Sequence, residues 1–162
     1  MKRPQRGFSL VELLIVVAII LVIAAIAIPS FMRARMSANE SSASQDMRTI
    51  NTAEASYALT YPSVGFTALT NLGGTGSPCA PTSSAACMID EFLASSASTA
   101  PGKDGYTFTA SVVNSGAAYT SLANPVTLNG TGTRSFCSDQ SGVIYFKQGA
   151  TGCAPGTDTP LQ

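Results

Sequence analysis

The pattern of apolar and polar positions begins with an uninterrupted apolar run near the N-terminus. Residues 8–28, FSLVELLIVVAIILVIAAIAI, contain a single charged side chain, Glu12, and a single hydroxyl, Ser9. In a helix these 21 residues rise about 32 Å, which matches the hydrocarbon thickness of a bilayer, about 30 Å. The run is apolar all round, which is untypical of a helix in a soluble core of this size. It therefore predicts a membrane-spanning helix.

Beyond this run, apolar side chains recur every three or four residues, which is typical of an amphipathic helix. The recurring positions are Met36, Ala43, Met47, Ile50, Ala53 or Glu54, and Tyr57, while the charges Arg33, Arg35, Glu40, Asp46 and Arg48 are expected mostly off this stripe. Pro29 in an apolar helix usually produces a kink rather than an end. We therefore predict one helix from about residue 8 to about residue 60, stopped by Tyr61-Pro62 and Gly65.

Residues 62–162 are predicted to form a small globular head. The stretch 62–102 is rich in Gly, Pro, Ser and Ala, with a short helix near 88–94. Alternating apolar positions then predict strands at 106–112, 117–122, 126–128, 134–137 and 142–147, with Gly, Asn and Pro marking the turns between them. The expected fold class is α+β, in which the amphipathic half of the helix packs on a small antiparallel sheet.

Composition narrows the classes of function. Charged residues make up 11% of the chain, less than half the usual fraction of about 25%, which argues against an ordinary cytosolic enzyme. The chain has no histidine, which excludes Ser–His and Cys–His catalysis and zinc sites with histidine ligands. Nine basic and nine acidic residues cancel, so nucleic acid is not expected as a primary ligand. We expect no enzyme, no cofactor and no metal.

The residues before the apolar run predict its orientation. Lys2, Arg3 and Arg6 precede it without any acid, so the N-terminus should stay in the cytoplasm while the rest of the chain crosses the membrane. A cleaved secretory signal is one alternative, because Ala25-Ile26-Ala27 fits the small-x-small cleavage pattern. The apolar stretch 13–28 is longer than the 7 to 15 residues of a typical signal, however. We therefore favour a segment that is processed on its cytoplasmic side.

Glu12 is the residue that identifies this segment. A carboxylate within a membrane segment is costly and marks a function by default. It lies in Arg6-Gly7-Phe8-Ser9-Leu10-Val11-Glu12, which closely resembles the prepilin leader of type IV pilins and of the related pseudopilins of type II secretion. The resemblance covers residues 3–31, about a fifth of the chain, and Pro29 falls where many members carry a helix-bending proline.

The resemblance implies a sequence of processing and assembly steps. A membrane peptidase would cut between Gly7 and Phe8 and methylate the new amine of Phe8. Glu12, the fifth residue of the mature chain, would pair with the amine of a neighbouring subunit, because an unpaired charge in an apolar bundle is penalised. That pair would set the axial register between packed helices.

The resemblance also implies the ladle-shaped pilin fold and its division into segments. These are a leader at 1–7, a transmembrane and filament-core helix at 8–28, an amphipathic second half at 29–61 and the head at 62–162. The expected partners are further copies in a helical filament, the prepilin peptidase, the inner-membrane pilus assembly machinery, and membrane lipid before assembly. The precursor would lie in the bacterial inner membrane and the assembled subunit in an extracellular pilus on the cell surface.

Four cysteines in an exported chain predict two disulfides. The spacings between Cys79 and Cys87 and between Cys137 and Cys153 match no zinc pattern. Three connectivities are possible. We favour the two local pairs, because type IV pilins commonly close a loop near the C-terminus with a disulfide, and Cys137 with Cys153 would close a similar one.

The first hypothesis is a structural subunit of a type IV pilus, with motility, adhesion, DNA uptake and electron transfer all open as roles. A pseudopilin of a type II secretion system is the alternative within the family. Related major pseudopilins bind calcium near their C-termini, and here Asp139 with Asp104 or Asp158 would supply the oxygen ligands. A more distant alternative is a membrane-anchored extracytoplasmic binding module, which predicts a concave polar site in the head.

Overall fold

The computed structural model describes residues 8–74, 78–96 and 102–161. Three helices, α1 (Leu10–Thr60), α2 (Leu69–Leu72) and α3 (Glu91–Ala94), precede five strands: β1 (Tyr106–Val113), β2 (Ala118–Pro125), β3 (Arg134–Asp139), β4 (Ile144–Gln148) and β5 (Thr159–Pro160). The strands form one antiparallel sheet in the order β1-β2-β3-β4-β5. The predicted α+β fold class is confirmed.

The chain forms two compact units, Met1–Arg35 and Met36–Gln162, and the boundary between them falls within α1. The described part of the first unit is a helix whose large apolar side chains are exposed. The second unit contains the rest of α1, the two short helices and the whole sheet.

Helix α1 continues through Pro29 and ends at Thr60, close to both predicted limits. Its last turn is closed by the N–H groups of Tyr61 and Gly65, which donate to the carbonyls of Tyr57 and Tyr61 at 2.8 and 3.1 Å. Gly65 has a φ of +79°, a left-handed conformation that favours glycine after a helix. The expected stop at Tyr61-Pro62 and Gly65 is thus confirmed, with its hydrogen bonds identified.

The core of the second unit lies between one face of α1 and the sheet. Its largest fully buried side chains from α1 are Met47, Ile50 and Tyr57, and those from the strands are Tyr106, Phe108 and Phe136. The prediction that Glu40 and Asp46 lie off the apolar stripe was wrong, because both are buried on α1. Their carboxylates are buried with hydrogen-bonding partners from the head.

The sheet differs from the prediction in two places. Residues 126–128, expected as a strand, belong to the connection between β2 and β3, because β2 pairs with β1 as far as Pro125. The chain then turns at Asn129, whose φ is +60°, and Thr131 donates its N–H to the carbonyl of Thr127 at 2.8 Å. The second difference is β5, a two-residue strand on β4 that no alternation in the sequence indicates.

Two glycines bring the loop after α1 against the tip of the first hairpin. Gly65 and Gly116 both have positive φ, +79° and +94°. The N–H of Phe66 donates to the carbonyl of Gly116 at 2.9 Å. A Cβ at Gly65 would overlap the Gly116 carbonyl, and a Cβ at Gly116 would overlap the carbonyl of Val64. The two backbones therefore cross at a distance that only glycine allows.

Candidate functional site

Glu12 lies in the first turn of α1, and its carboxylate has a partner within its own chain. Its Oε2 accepts a hydrogen bond from the backbone N–H of Ser9 at 3.0 Å. Ser9 directly precedes the first helical residue, Leu10, so this contact is one half of a capping box. A carboxylate is also favourable there because the helix dipole is positive at its N-terminus. The spacing Ser-x-x-Glu was the signal for this cap in the sequence.

The helix that follows Glu12 is apolar and uncovered. Phe8 is 81% exposed, and the large apolar side chains up to Phe31 are exposed as well. By length and composition α1 qualifies as a membrane span, with an 18-residue window of mean hydropathy 3.3 that is not buried within the protein. Of the predicted cleavage site, Phe8 lies directly before the helix cap, while Gly7 and the leader lie outside the described residues.

Glu40 joins α1 to the start of β3. Its Oε1 accepts hydrogen bonds from the backbone N–H and the hydroxyl of Thr133, both at 2.7 Å, and its Oε2 accepts from Nε and Nη2 of Arg134 at 2.8 Å. The guanidinium also lies over the rings of Phe136 and Phe146, 5.6 and 5.1 Å from their centroids. Burial raises the pKa of Glu40, but the hydrogen bonds from Thr133 and Arg134 outweigh it, so the pKa is lowered.

Asp46 forms a second link between α1 and the head. Lys103 donates to Oδ1 of Asp46 at 2.8 Å and to Oδ2 of Asp90 at 3.3 Å. Burial outweighs the effect of Lys103 and raises the pKa of Asp46. The other oxygen of Asp46, Oδ2, is buried without a hydrogen-bond partner among the described residues. Asp90 also caps α3, because its Oδ1 accepts from the N–H of Leu93 at 2.8 Å.

Glu54 is the most deeply buried carboxylate in the described part of the chain, with no exposed surface. Its Oε2 accepts from the backbone N–H of Thr67 at 3.1 Å, and its Oε1 has no partner among the described residues. Burial raises its pKa to about 7. Burial also raises the pKa of Tyr119, and the negative charge of Glu54 adds to that effect.

The importance of these three carboxylates was not predicted, although a signal for two of them was present. Glu40 and Glu54 continue the alternating three- and four-residue spacing of the buried positions Ala43, Met47, Ile50 and Tyr57. An acid at such a position is buried if the helix packs, and a buried acid needs hydrogen-bond donors. The donors come from residues far along the chain, so the sequence named the buried positions but not their partners.

The cysteines are joined as Cys79–Cys87 and Cys137–Cys153, with Cα atoms 6.2 and 5.7 Å apart. In the described residues, Asp158 with Cys137 and Cys153 is the one group of three metal-ligand residues that lie close together. Both sulfurs of that group are oxidised to a disulfide, and Asp158 accepts from the N–H of Ala154 at 2.7 Å. The group is therefore not a metal site.

The carboxylates considered for calcium are each used in a local contact. Asp139 accepts from the N–H of Ser141 at 2.9 Å, and Asp104 accepts from the hydroxyl of Ser42 at 2.7 Å. Neither residue belongs to a close group of three metal-ligand side chains in the described part of the chain. These contacts are typical of loop carboxylates that hold their own turns.

Comparison with known proteins places the similarity at the N-terminus. The family described as the prokaryotic N-terminal methylation motif matches residues 2–28. The chain is also 46% identical over 53 residues to the type IV major pilin protein PilA of Myxococcus xanthus (strain DK1622). That alignment covers 33% of this chain and 24% of the relative, so the chain matches about a quarter of the relative's length. No solved structure matches the chain.

Proposed function

Because the chain is a type IV pilin-like protein that carries the prokaryotic N-terminal methylation motif, we propose that it is a structural subunit of a type IV pilus filament. The observation that carries this proposal is the placement of Glu12. A single carboxylate stands in the first turn of an exposed apolar helix, four residues after Phe8. This is the arrangement that a subunit needs if it is to pair its charge inside a bundle of helices.

Processing is the first step of the proposed function. The peptidase cuts between Gly7 and Phe8, removes three basic side chains, and methylates the amine of Phe8. The mature chain then begins two residues before α1. Its amine is therefore close enough to the helix end to be presented together with the helix, rather than at the tip of a long flexible tail.

Assembly through the N-terminal helix is the second step. In the membrane, the exposed apolar side chains between Phe8 and Phe31 contact lipid, and in the filament they contact the helices of other subunits. Transfer from lipid to protein brings little hydrophobic gain, so close packing and polar contacts supply the specificity. Glu12 has two oxygens, and the bond from Ser9 uses one of them. The other oxygen is available for the methylated amine of a neighbour.

The remaining parts of the proposal follow from this assembly. The precursor resides in the inner membrane with its leader in the cytoplasm, and the assembled subunit lies outside the cell. The assembly machinery of the inner membrane extracts it from lipid. The head, closed by two disulfides and tied to α1 by Glu40 and Asp46, faces the outside of the filament.

The test is to image and purify surface filaments from cells with and without this chain. The proposal expects filaments whose main protein, by mass spectrometry, is this chain starting at Phe8. Filaments that persist unchanged in its absence, together with a loss of protein secretion, would instead identify a pseudopilin. A chain that stays in the membrane and yields neither phenotype would overturn both assignments.

A further inference from the structure

The unpaired charges of the second unit are reduced to one of each sign. Among its cations, Lys103 and Arg134 form ion pairs and Lys147 donates to a backbone carbonyl, whereas the guanidinium of Arg48 has no partner in the described residues. Among its carboxylates, the side chain of Glu91 is likewise without a hydrogen bond or ion pair there. The others accept at least one hydrogen bond each: Glu40, Asp46, Glu54, Asp90, Asp104, Asp139 and Asp158.

Arg48 stands on the exposed face of α1 between two shallow depressions of the surface. One has a volume of about 390 Å³ and is lined on its far side by Ala53 and Met88. The other has a volume of about 410 Å³ and is lined by Asn51, Ala55 and Gly142. The cation is therefore flanked by partly apolar hollows, a combination that accepts a carboxylate together with an adjacent apolar side chain.

Glu91 stands beside such a side chain. It is the first residue of α3, and the next residue, Phe92, is 56% exposed. The position of both is fixed, because Asp90 caps α3 through the N–H of Leu93 and is held by Lys103. A carboxylate and an aromatic ring thus project from a braced turn, and such a pair loses little conformational freedom when it is bound.

We propose that Glu91 and Phe92 of one subunit dock on the Arg48 face of a second copy of this chain. The carboxylate binds the guanidinium, and the ring enters an adjacent depression. An exposed ion pair alone contributes little, so the ring is needed to exclude water from the contact. The two surfaces are different from each other, so the contact is heterologous, and heterologous contacts that do not close into a ring build open helical assemblies.

This inference rests on the proposed function, since only a filament brings many copies side by side. It adds a contact between heads to the packing of the N-terminal helices. The charge complementarity is internal to the chain: the one unpartnered cation and the one unpartnered carboxylate of the described second unit satisfy each other between copies.

The test is a charge exchange in cells that make only the variant subunit. Arg48→Glu and Glu91→Arg should each reduce the amount of sheared filament about tenfold, because each places like charges at the contact. The double variant, which carries both changes, should recover most of the wild-type amount. Lys147→Glu is the matched control, since it makes the same charge change at another exposed position and should leave the amount of filament unaffected.

The amount of each variant in the membrane fraction and its disulfides check that the head has folded. Wild-type amounts of filament from both single variants, or a double variant as defective as its parents, would overturn this inference while leaving the proposed function standing. Absence of filaments containing the wild-type chain is the separate outcome that would overturn the proposed function itself.

Discussion

The carboxylate of Glu54 on α1 is fully buried, and its one hydrogen bond comes from the backbone N–H of Thr67, 3.1 Å away. This contact ties the middle of the second unit's core to the chain just before α2. Since the second oxygen of Glu54 has no partner in the described residues, the neutral acid suits the site better than the charged form. The stability of the head therefore depends on the protonation of Glu54.

We predict that the protein loses stability between about pH 4.5 and about pH 7 through Glu54, because the folded state keeps its proton over this range and the unfolded chain does not. The decrease in the free energy of unfolding is on the order of 3 kcal/mol over the whole range. Glu54→Gln should remove this part of the pH dependence and be more stable than the wild type at pH 8. Thermal unfolding of the detergent-solubilised chain at several pH values measures it.

Glu91→Gln is the matched control for that experiment, because Glu91 is exposed and has no partner within the described chain. Its unfolding should follow the wild type at every pH. Parallel pH curves for the wild type and Glu54→Gln would contradict a buried neutral Glu54.

The contact between Glu40 and Arg134 should behave in the opposite sense. The pKa of Glu40 is lowered, so its stabilising effect is present above the ordinary value and is lost as the pH falls through the lowered one. Glu40→Ala should cost about 3 kcal/mol at neutral pH, because it leaves the partly buried guanidinium without its carboxylate. Urea unfolding of Glu40→Ala and of the exposed control Ser41→Ala measures the difference. Equal stability of the two would contradict the assigned role.

Glu12 allows its local and intermolecular contacts to be separated. Glu12→Gln keeps an oxygen that can accept from the Ser9 N–H but removes the charge, whereas Glu12→Ala removes both. If the charge pairs with a neighbour's amine, both variants should yield about tenfold less filament while cleavage and export continue. Quantifying sheared filaments and the processed chain measures this. Normal filaments from Glu12→Gln would show that capping of α1 is the whole role of this residue.

Processing is predicted to leave Phe8 as the first residue, with a methylated amine. Intact-mass and N-terminal peptide mass spectrometry of the filament protein measure this directly. Gly7→Ala changes the residue before the cut and should accumulate the uncleaved precursor. A mature chain starting at Ile28 would indicate a conventional secretory signal instead.

The disulfide between Cys137 and Cys153 encloses β4 and should stabilise the head by about 3 kcal/mol, since it closes a loop with a sequence separation of 16 residues. Replacing both cysteines by serine avoids a free thiol and should lower the midpoint of unfolding. Non-reducing peptide mapping of the wild type should recover this pair together with Cys79–Cys87. Crossed pairs would contradict the local connectivity.

The sequence predicted the elements that depend on local pattern. Helix α1 follows from its apolar spacing and ends where Pro62 and Gly65 indicate, and β1, β3 and β4 lie within a few residues of their predicted positions. The errors arose where a distant partner decides the outcome. Glu40 and Asp46 are buried because Arg134 and Lys103 meet them across more than fifty residues of chain.

The same reason explains the strands that were missed or misplaced. Residue Pro125 still belongs to β2 because Tyr106 is opposite it, and β5 exists because β4 offers Tyr145 and Phe146 as partners. Two residues carry no periodicity of their own, so a strand as short as β5 leaves no trace in the sequence. At Glu12, by contrast, the functional hypothesis came from a resemblance and the cap from the helix geometry.

The crossing of Gly65 and Gly116 determines where the molecule can carry a label. Since neither backbone has room for a side chain there, the loop after α1 and the tip of the first hairpin must be left together as they are. A peptide epitope or a fluorophore attachment site belongs instead near Gly149 or Gly156, where a Cβ would meet nothing within 4 Å. Tags at those positions would let filaments be followed on living cells without disturbing the core of the head.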